Sequence, residues 1–200
     1  MKVLQVKNFP ISQYFPQAHK KKWIALHHTV GSTADGAISW WKSQPEKVGT
    51  AYVIDKDGSV SKVFNDTYFA YQFGFSGVPR RVEFEQGTIG IELVNEGPII
   101  KTGTSFTTSY NSAYKSDVTE SNWRGYKYWA NYTDAQYLAL SELLKNLSIA
   151  HNIELKIKAD LEFNLNVFNT HTVLNHAQVR LDKTDLSPAF DFNKLQKLLG

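Results

Sequence analysis

Trp23-Ile24-Ala25-Leu26-His27-His28-Thr29 is the stretch on which the reading of this chain turns. A short apolar run ending in His-His-Thr reads as a buried strand that delivers an imidazole at its carboxyl end. Far downstream, His176-Ala177-Gln178-Val179-Arg180-Leu181-Asp182-Lys183-Thr184-Asp185 offers a second imidazole, a carboxylate nine positions later, and a Lys two residues before that carboxylate. Two His and one carboxylate, with a fourth place left for water, is a common ligand set for a hydrolytic zinc. The wide separation suits a site assembled by the fold better than a small zinc knuckle. The same residue types also serve as ordinary hydrogen-bonded or exposed side chains, and residue type alone leaves both readings open.

Outward from the first strand, Gly31-Ser32-Thr33 reads as a turn, with Ser32 or Thr33 capping a helix to about Ser43 before Pro45. Tyr52-Val53-Ile54, Asp55-Lys56-Asp57-Gly58 and Ser59 to Phe64 read as strand, Asp-Gly turn and strand. Thr88-Ile89-Gly90-Ile91-Glu92-Leu93-Val94 is a further apolar strand. Thr133-Asp134-Ala135-Gln136 is a T-x-x-Q capping box opening a helix with Tyr137, Leu140, Leu143, Leu144 and Leu147 on one face. Phe168 to Leu174 reads as a strand leading to His176, and Phe190 to Leu199 as a short amphipathic helix. Residues 1–22, broken by Pro10 and Pro16, read as irregular. Residues 98–132 are polar and aromatic with little periodicity, the mark of a long functional loop or insertion. Alternating strands and helices define a mixed α/β domain with a central sheet.

Composition sets the outer bounds. At 200 residues, 42% hydrophobic and 14% aromatic, the chain fits one domain with a real core. A net charge of +3, with Lys20-Lys21-Lys22 as the only basic cluster, gives no footprint for nucleic acid; that cluster reads as a solvated edge. There is no cysteine, so a metal would take His, carboxylate and water. No apolar run approaches the ~18 residues of a membrane span. The first ten residues lack the apolar core and cleavage site of a secretory signal, so cytoplasmic synthesis is expected.

The order of motifs is itself a signature: apolar-strand-His-His-Thr, Tyr-Val-Ile-Asp-Lys-Asp-Gly, Ile-Gly-Ile-Glu, a Thr-capped helix, then His…Lys-Thr-Asp…Pro-Ala-Phe-Asp. In this order the motifs resemble the zinc-dependent N-acetylmuramoyl-L-alanine amidases, the family of phage amidase-type lysozymes, bacterial cell-wall amidases and animal peptidoglycan recognition proteins. The resemblance spans about residues 23–199. It implies one catalytic α/β domain at 23–200, a central mixed β-sheet flanked by helices, with an N-terminal extension at 1–22 packed on it and an insertion at 98–132.

Carried over motif by motif, the resemblance implies Zn2+ held by His27, His176 and Asp185, with Glu92 as general base or supporting carboxylate and Lys183 as support for an oxyanion. His28 is expected in packing, His171 on the opposite face of its strand, and His19 and His151 outside the site. Three departures stand out. The strand position of the family's catalytic Tyr is Thr50 and the His position after it is Ala51. A frequent Trp-His or Ala-His pair is Tyr71-Gln72 in Tyr71-Gln72-Phe73-Gly74. Leu186-Ser187-Pro188 replaces Pro-Gly after the Asp.

The implied activity is hydrolysis of the amide between N-acetylmuramic acid and L-Ala of peptidoglycan, acting at the bacterial cell wall as a phage-type endolysin does. A polymer substrate implies an open groove, with walls expected from residues 68–75 and 106–132; Trp123, Tyr126, Tyr128 and Trp129 either stack on sugars or pack the insertion. The alternative is a peptidoglycan-binding module of the same fold that does not cleave or cleaves only weakly. A hydrolase pairing Glu92 with Asp66 or Glu96 has no supporting spacing. No nucleic-acid partner is implied, and monomer is the default state.

Overall fold

Ile24, Ala25 and Leu26 are at most 1% exposed because the strand that carries them has neighbours on both edges and cores on both faces. The computed structural model describes residues 2–200, with side chains from Leu4 onward. In chain order the first half holds β1 (Lys2–Val6), β2 (Trp23–His28), α1 (Ala34–Ser43), β3 (Tyr52–Ile54), β4 (Ser59–Lys62), α2 (Arg81–Gly87) and β5 (Thr88–Leu93). A run of strands follows: β6 (Pro98–Thr102), β7 (Ser105–Thr108), β8 (Ala113–Tyr114), β9 (Val118–Trp123) and β10 (Tyr126–Ala130). The chain ends with α3 (Asp134–His151), α4 (Val167–Thr170), β11 (Val173–Asn175), α5 (His176–Val179) and α6 (Phe192–Leu199).

The central sheet has six strands in the order β1-β4-β3-β5-β2-β11, parallel at every pair except the β3–β4 hairpin. Alternation along β2 and β5 sorts their side chains onto two faces. Ile24, Leu26, Ile89, Ile91 and Leu93 join a core with Ile38 and Trp41 of α1 and Leu140 and Leu144 of α3. Trp23, Ala25 and Leu174 join a second core with Phe84 of α2 and Phe168 of α4. There Phe84 stacks on Phe168 at 3.9 Å between centroids, and the Trp23 indole donates to the Phe168 carbonyl at 2.9 Å. The expected mixed sheet flanked by helices is therefore the observed architecture.

Local expectations fare unevenly. Thr33 caps α1, accepting from the Gly36 N–H at 3.1 Å, and Thr133 with Gln136 forms the reciprocal box that opens α3. The helix expected from Phe190 starts at Phe192, because Asp191 caps it by accepting from the Lys194 N–H. Phe168 to Leu174 is not one strand: Val167–Thr170 is a helical turn, begun where Asn164 accepts from the Asn166 N–H, and only Val173–Asn175 is extended.

The N-terminal stretch is not wholly irregular, since β1 pairs in parallel with β4. Leu4 and Val6 are 40% and 79% exposed, so backbone pairing with an open edge holds this strand rather than apolar burial. Lys21 is no solvated edge either. It is buried, with Nζ donating to the carbonyls of Tyr68 at 2.8 Å and Gln86 at 2.6 Å, and burial lowers its pKa to about 8.

The largest correction concerns residues 98–132. They form a five-stranded antiparallel sheet, β8-β7-β6-β10-β9, in place of an irregular loop. Two-residue turns close it at Gly103-Thr104, with Gly103 at φ 60°, and at Arg124-Gly125, with φ 47° and 82°. Thr, Tyr, Trp and Ile suit a pleated surface, yet few of these strand residues are buried, so no apolar alternation announces them.

Candidate active site

Three strands of the central sheet end at the site. His27 is the penultimate residue of β2, and its partner in register on parallel β5 is Glu92. On the other side of β2, β11 ends at Asn175, whose side chain accepts from the Gln178 N–H at 3.2 Å and caps α5. The cap turns the chain sharply, so His176, the first residue of α5, projects beside His27. The segment then loops back, and the Ala177 N–H donates to the Asp185 carbonyl at 2.6 Å, which returns Asp185 to both imidazoles. In open α/β sheets the carboxyl ends of the strands are the usual seat of a ligand.

His27 Nδ1, His176 Nδ1 and Asp185 Oδ2 form a triangle: 3.1 Å between the imidazole nitrogens, and 3.1 and 3.0 Å from them to the carboxylate oxygen. All three side chains are buried, and among the described residues they are the one group of three metal-capable side chains brought together.

The outer nitrogens decide what the triangle can hold. His176 Nε2 lies 3.0 Å from the Phe73 carbonyl, which can only accept, so this nitrogen carries the proton. His27 Nε2 faces Gln72 Oε1 at 3.3 Å, and the Gln72 amide is oriented by donating its own N–H to the Thr88 carbonyl at 3.4 Å. With both outer nitrogens protonated, the neutral rings turn two Nδ1 lone pairs toward a carboxylate lone pair. Three converging lone pairs repel one another unless a cation sits among them. The spacing is close to the edge of about 3.3 Å expected between ligands of a tetrahedral zinc. The residues fit the metal.

Glu92 and Lys183 flank this triangle. Glu92 Oε2 is shielded from solvent and has no hydrogen-bond partner, and burial raises the carboxyl to about 7, with His27 and Lys183 opposing and Asp185 adding to the rise. Lys183 is half-buried and lines both clefts that meet at the site, one of about 650 Å³ and one of about 460 Å³. The larger is walled by Tyr71, Phe75, Arg81 and Arg180, the smaller by Trp40 and Trp41. Residues 71–75 form a wall, as expected of that stretch, but none of 106–132 lines either cleft. Trp129 is fully buried and donates its indole N–H to the Ser121 carbonyl, so it packs the second sheet instead of meeting a sugar.

The other histidines stay apart. His28 lies on the opposite face of β2, 2.8 Å from the Tyr132 hydroxyl, and burial lowers its pKa to about 4. His171 ends α4, not a strand, and pairs with the Thr170 hydroxyl. His19 packs edge-on to Phe69, and His151 approaches Asp66 at 3.6 Å. Asp66 accepts from the Tyr52 hydroxyl at 2.6 Å and Glu96 pairs with Lys56, so neither joins Glu92 as a second carboxylate.

Two supporting residues escape a linear reading. Gln72, noted in the sequence only as a missing His, is the hydrogen-bond partner of His27. Glu85, on α2, is 2% exposed and accepts the N–H groups of Gln72 at 3.0 Å and Phe73 at 3.2 Å. It fixes the turn whose carbonyl orients His176. Its burial outweighs those donors and raises its pKa to about 7. The one local signal for it is a carboxylate set between Phe84 and the apolar strand β5.

The sequence profile of the N-acetylmuramoyl-L-alanine amidase family matches residues 17–188. The chain belongs to that family and is an enzyme of the amidase class. Solved structures of similar fold include AmpD, as a selenomethionine derivative (TM-score 0.56, 16% identity, covering 100% of this chain and 96% of AmpD). They also include a mutant endolysin from Bacillus subtilis (TM-score 0.59, 15% identity, 100% of both chains). A third is the N-acetylmuramyl-L-alanine amidase AmiD from E. coli, solved with the substrate anhydro-N-acetylmuramic acid-L-Ala-D-γ-Glu-L-Lys (TM-score 0.61, 20% identity, covering 92% of this chain and 59% of AmiD). At these identities the likeness is one of fold. No curated protein matches the chain in sequence. Among the described residues, no helix is long and apolar enough to cross a membrane.

Proposed function

We propose that this protein is a zinc-dependent amidase that cleaves the bond between N-acetylmuramic acid and the L-Ala of peptidoglycan or its muropeptides, in the manner of a phage-type endolysin acting at the cell wall. The observation that carries the proposal is the convergence of His27 Nδ1, His176 Nδ1 and Asp185 Oδ2 with both outer imidazole nitrogens engaged as donors. These three residues would hold the zinc. When bound, the metal supplies Lewis acidity toward the amide carbonyl and makes water nucleophilic near neutral pH.

The chain's own residues supply the rest. Glu92, beside His27 in register and held near 7 by burial, takes a proton from the attacking water. It then returns that proton to the amine nitrogen as the carbon–nitrogen bond breaks. Lys183, two residues before Asp185, supports negative charge developing on the carbonyl oxygen. The larger cleft, with Arg81, suits an anionic stem peptide, and the smaller, with exposed Trp40, suits the sugar face. AmiD with its bound muropeptide supports a substrate of this kind. The test is release of new L-Ala amino termini from purified peptidoglycan, abolished by chelation and restored by added zinc. Cleavage of a sugar–sugar bond, or cleavage indifferent to chelation, would overturn the reading.

A further inference from the structure

The tip of the β9–β10 hairpin is Arg124-Gly125, a two-residue turn in which Arg124 has φ 47° and Gly125 φ 82°. Both signs suit the turn that matches strand twist, but Asn or Gly usually takes the first position, since an L side chain is strained at positive φ. What an arginine does there is seen at the far end of its side chain. Nη1 donates to the carbonyl of Arg180 at 2.8 Å and to that of Lys183, and Nη2 donates to the carbonyl of Ala177 at 2.8 Å. The guanidinium also lies 4.6 Å from the centre of the Trp123 ring, which holds it from behind.

All three carbonyls belong to the segment between His176 and Asp185. α5 is a single turn, so the Ala177 carbonyl has no helical partner, and one planar guanidinium meets it together with the carbonyls of Arg180, the cap residue, and Lys183 beyond it. The same segment is tied on its other side by Arg180, whose Nη1 donates to the carbonyls of Phe73 at 3.1 Å and Gly74 at 2.7 Å. The loop that presents Lys183 and Asp185 is thus held between two guanidinium groups, one of them supplied by the second sheet.

We infer that Arg124 is a positioning residue, and that the second sheet fixes the His176–Asp185 segment at the angle its side chains need to close on a metal. Arg124 touches no ligand atom and works through three backbone carbonyls. The inference rests on the reading that His27, His176 and Asp185 bind zinc, but the clamp itself, three hydrogen bonds to backbone carbonyls, stands apart from that reading.

The test uses Arg124→Asn, which removes the guanidinium and leaves Asn-Gly, the preferred residue pair for this turn, so the hairpin itself is spared. Arg124→Ala with added guanidinium ion is the second variant. Zinc affinity is read by chelator competition, and amide hydrogen exchange is read on the metal-free protein. Arg124→Asn is expected to bind zinc about tenfold or more weakly. Exchange should quicken in 177–186 while β2 and β5 keep their protection, and guanidinium should restore part of the zinc affinity of Arg124→Ala. Unchanged exchange across 177–186 together with wild-type zinc affinity would overturn the inference. If the wild type itself binds no zinc, the metal reading fails, and the exchange measurement still decides whether Arg124 clamps the segment.

Discussion

Gln72 Oε1 reaches His27 Nε2, 3.3 Å away, across the bare backbone of Gly90 on β5. A Cβ at Gly90 would lie 2.4 Å from that oxygen and 2.7 Å from Thr50 Cγ2. The glycine therefore makes room for the amide that keeps the His27 proton on its outer nitrogen. Gly90→Ala is expected to displace Gln72 and weaken zinc binding by about tenfold or more, with Gln72→Ala giving a similar loss. Chelator competition measures both, and wild-type affinity in both would show that Gln72 does not support the metal site.

Glu92 is expected to act in the chemical step and not in holding the metal. Glu92→Gln keeps shape and burial, so zinc content should stay at the wild-type level. General acid–base assistance is worth roughly 10²–10⁴-fold, so kcat should fall by at least about 100-fold with KM little changed. Loss of zinc in this variant would make Glu92 a structural partner of the site instead.

The three residues of the triangle were legible because each closes a motif: His27 ends an apolar strand, and His176 and Asp185 bracket a recognisable segment. Their support was not. Gln72 meets His27 across 45 positions, and Glu85 works through backbone N–H groups 12 and 13 positions away, so no local period marks either contact. The second sheet was missed for a related reason. Its strands lack an apolar stripe, and polar strands of that kind look like loop. Arg124 was hidden with it, because a hairpin must be recognised before its tip can be assigned a task.

Glu85 gives the metal-free protein a pH dependence of definite sign. Its native pKa is about 7 against an ordinary 4.5, raised by burial. Between these values the native state holds a proton that the unfolded chain has released. Its contribution to stability is therefore fully present below about 4.5 and is lost as pH rises through about 7. The slope for one such group is at most about 1.4 kcal/mol per pH unit. Glu85→Gln does not titrate, so between about pH 5 and about pH 7 its unfolding free energy should fall less, or rise more, than that of the wild type. Denaturant titrations at both pH values check this, and equal changes in the two proteins would contradict it.

Thr133 tests whether fold and site are separable. Its hydroxyl accepts from the Gln136 N–H at 3.1 Å and donates to the Lys56 carbonyl at 2.6 Å, fixing the start of α3 on the face of the sheet away from His27. Thr133→Ala should cost about 1–2 kcal/mol and a few degrees of Tm, roughly 2–4 °C per kcal/mol, with zinc affinity unchanged. A matching loss of zinc affinity would show that the two faces are coupled.

Zinc content and release of L-Ala amino termini from peptidoglycan, measured on wild type and His176→Ala side by side, decide whether the His27–His176–Asp185 triangle holds a catalytic zinc. The wild-type chain is expected to hold a single zinc and to cleave the amide, and the variant to lose both. A variant that keeps its zinc and its activity, or a wild type that cleaves without zinc, would contradict it.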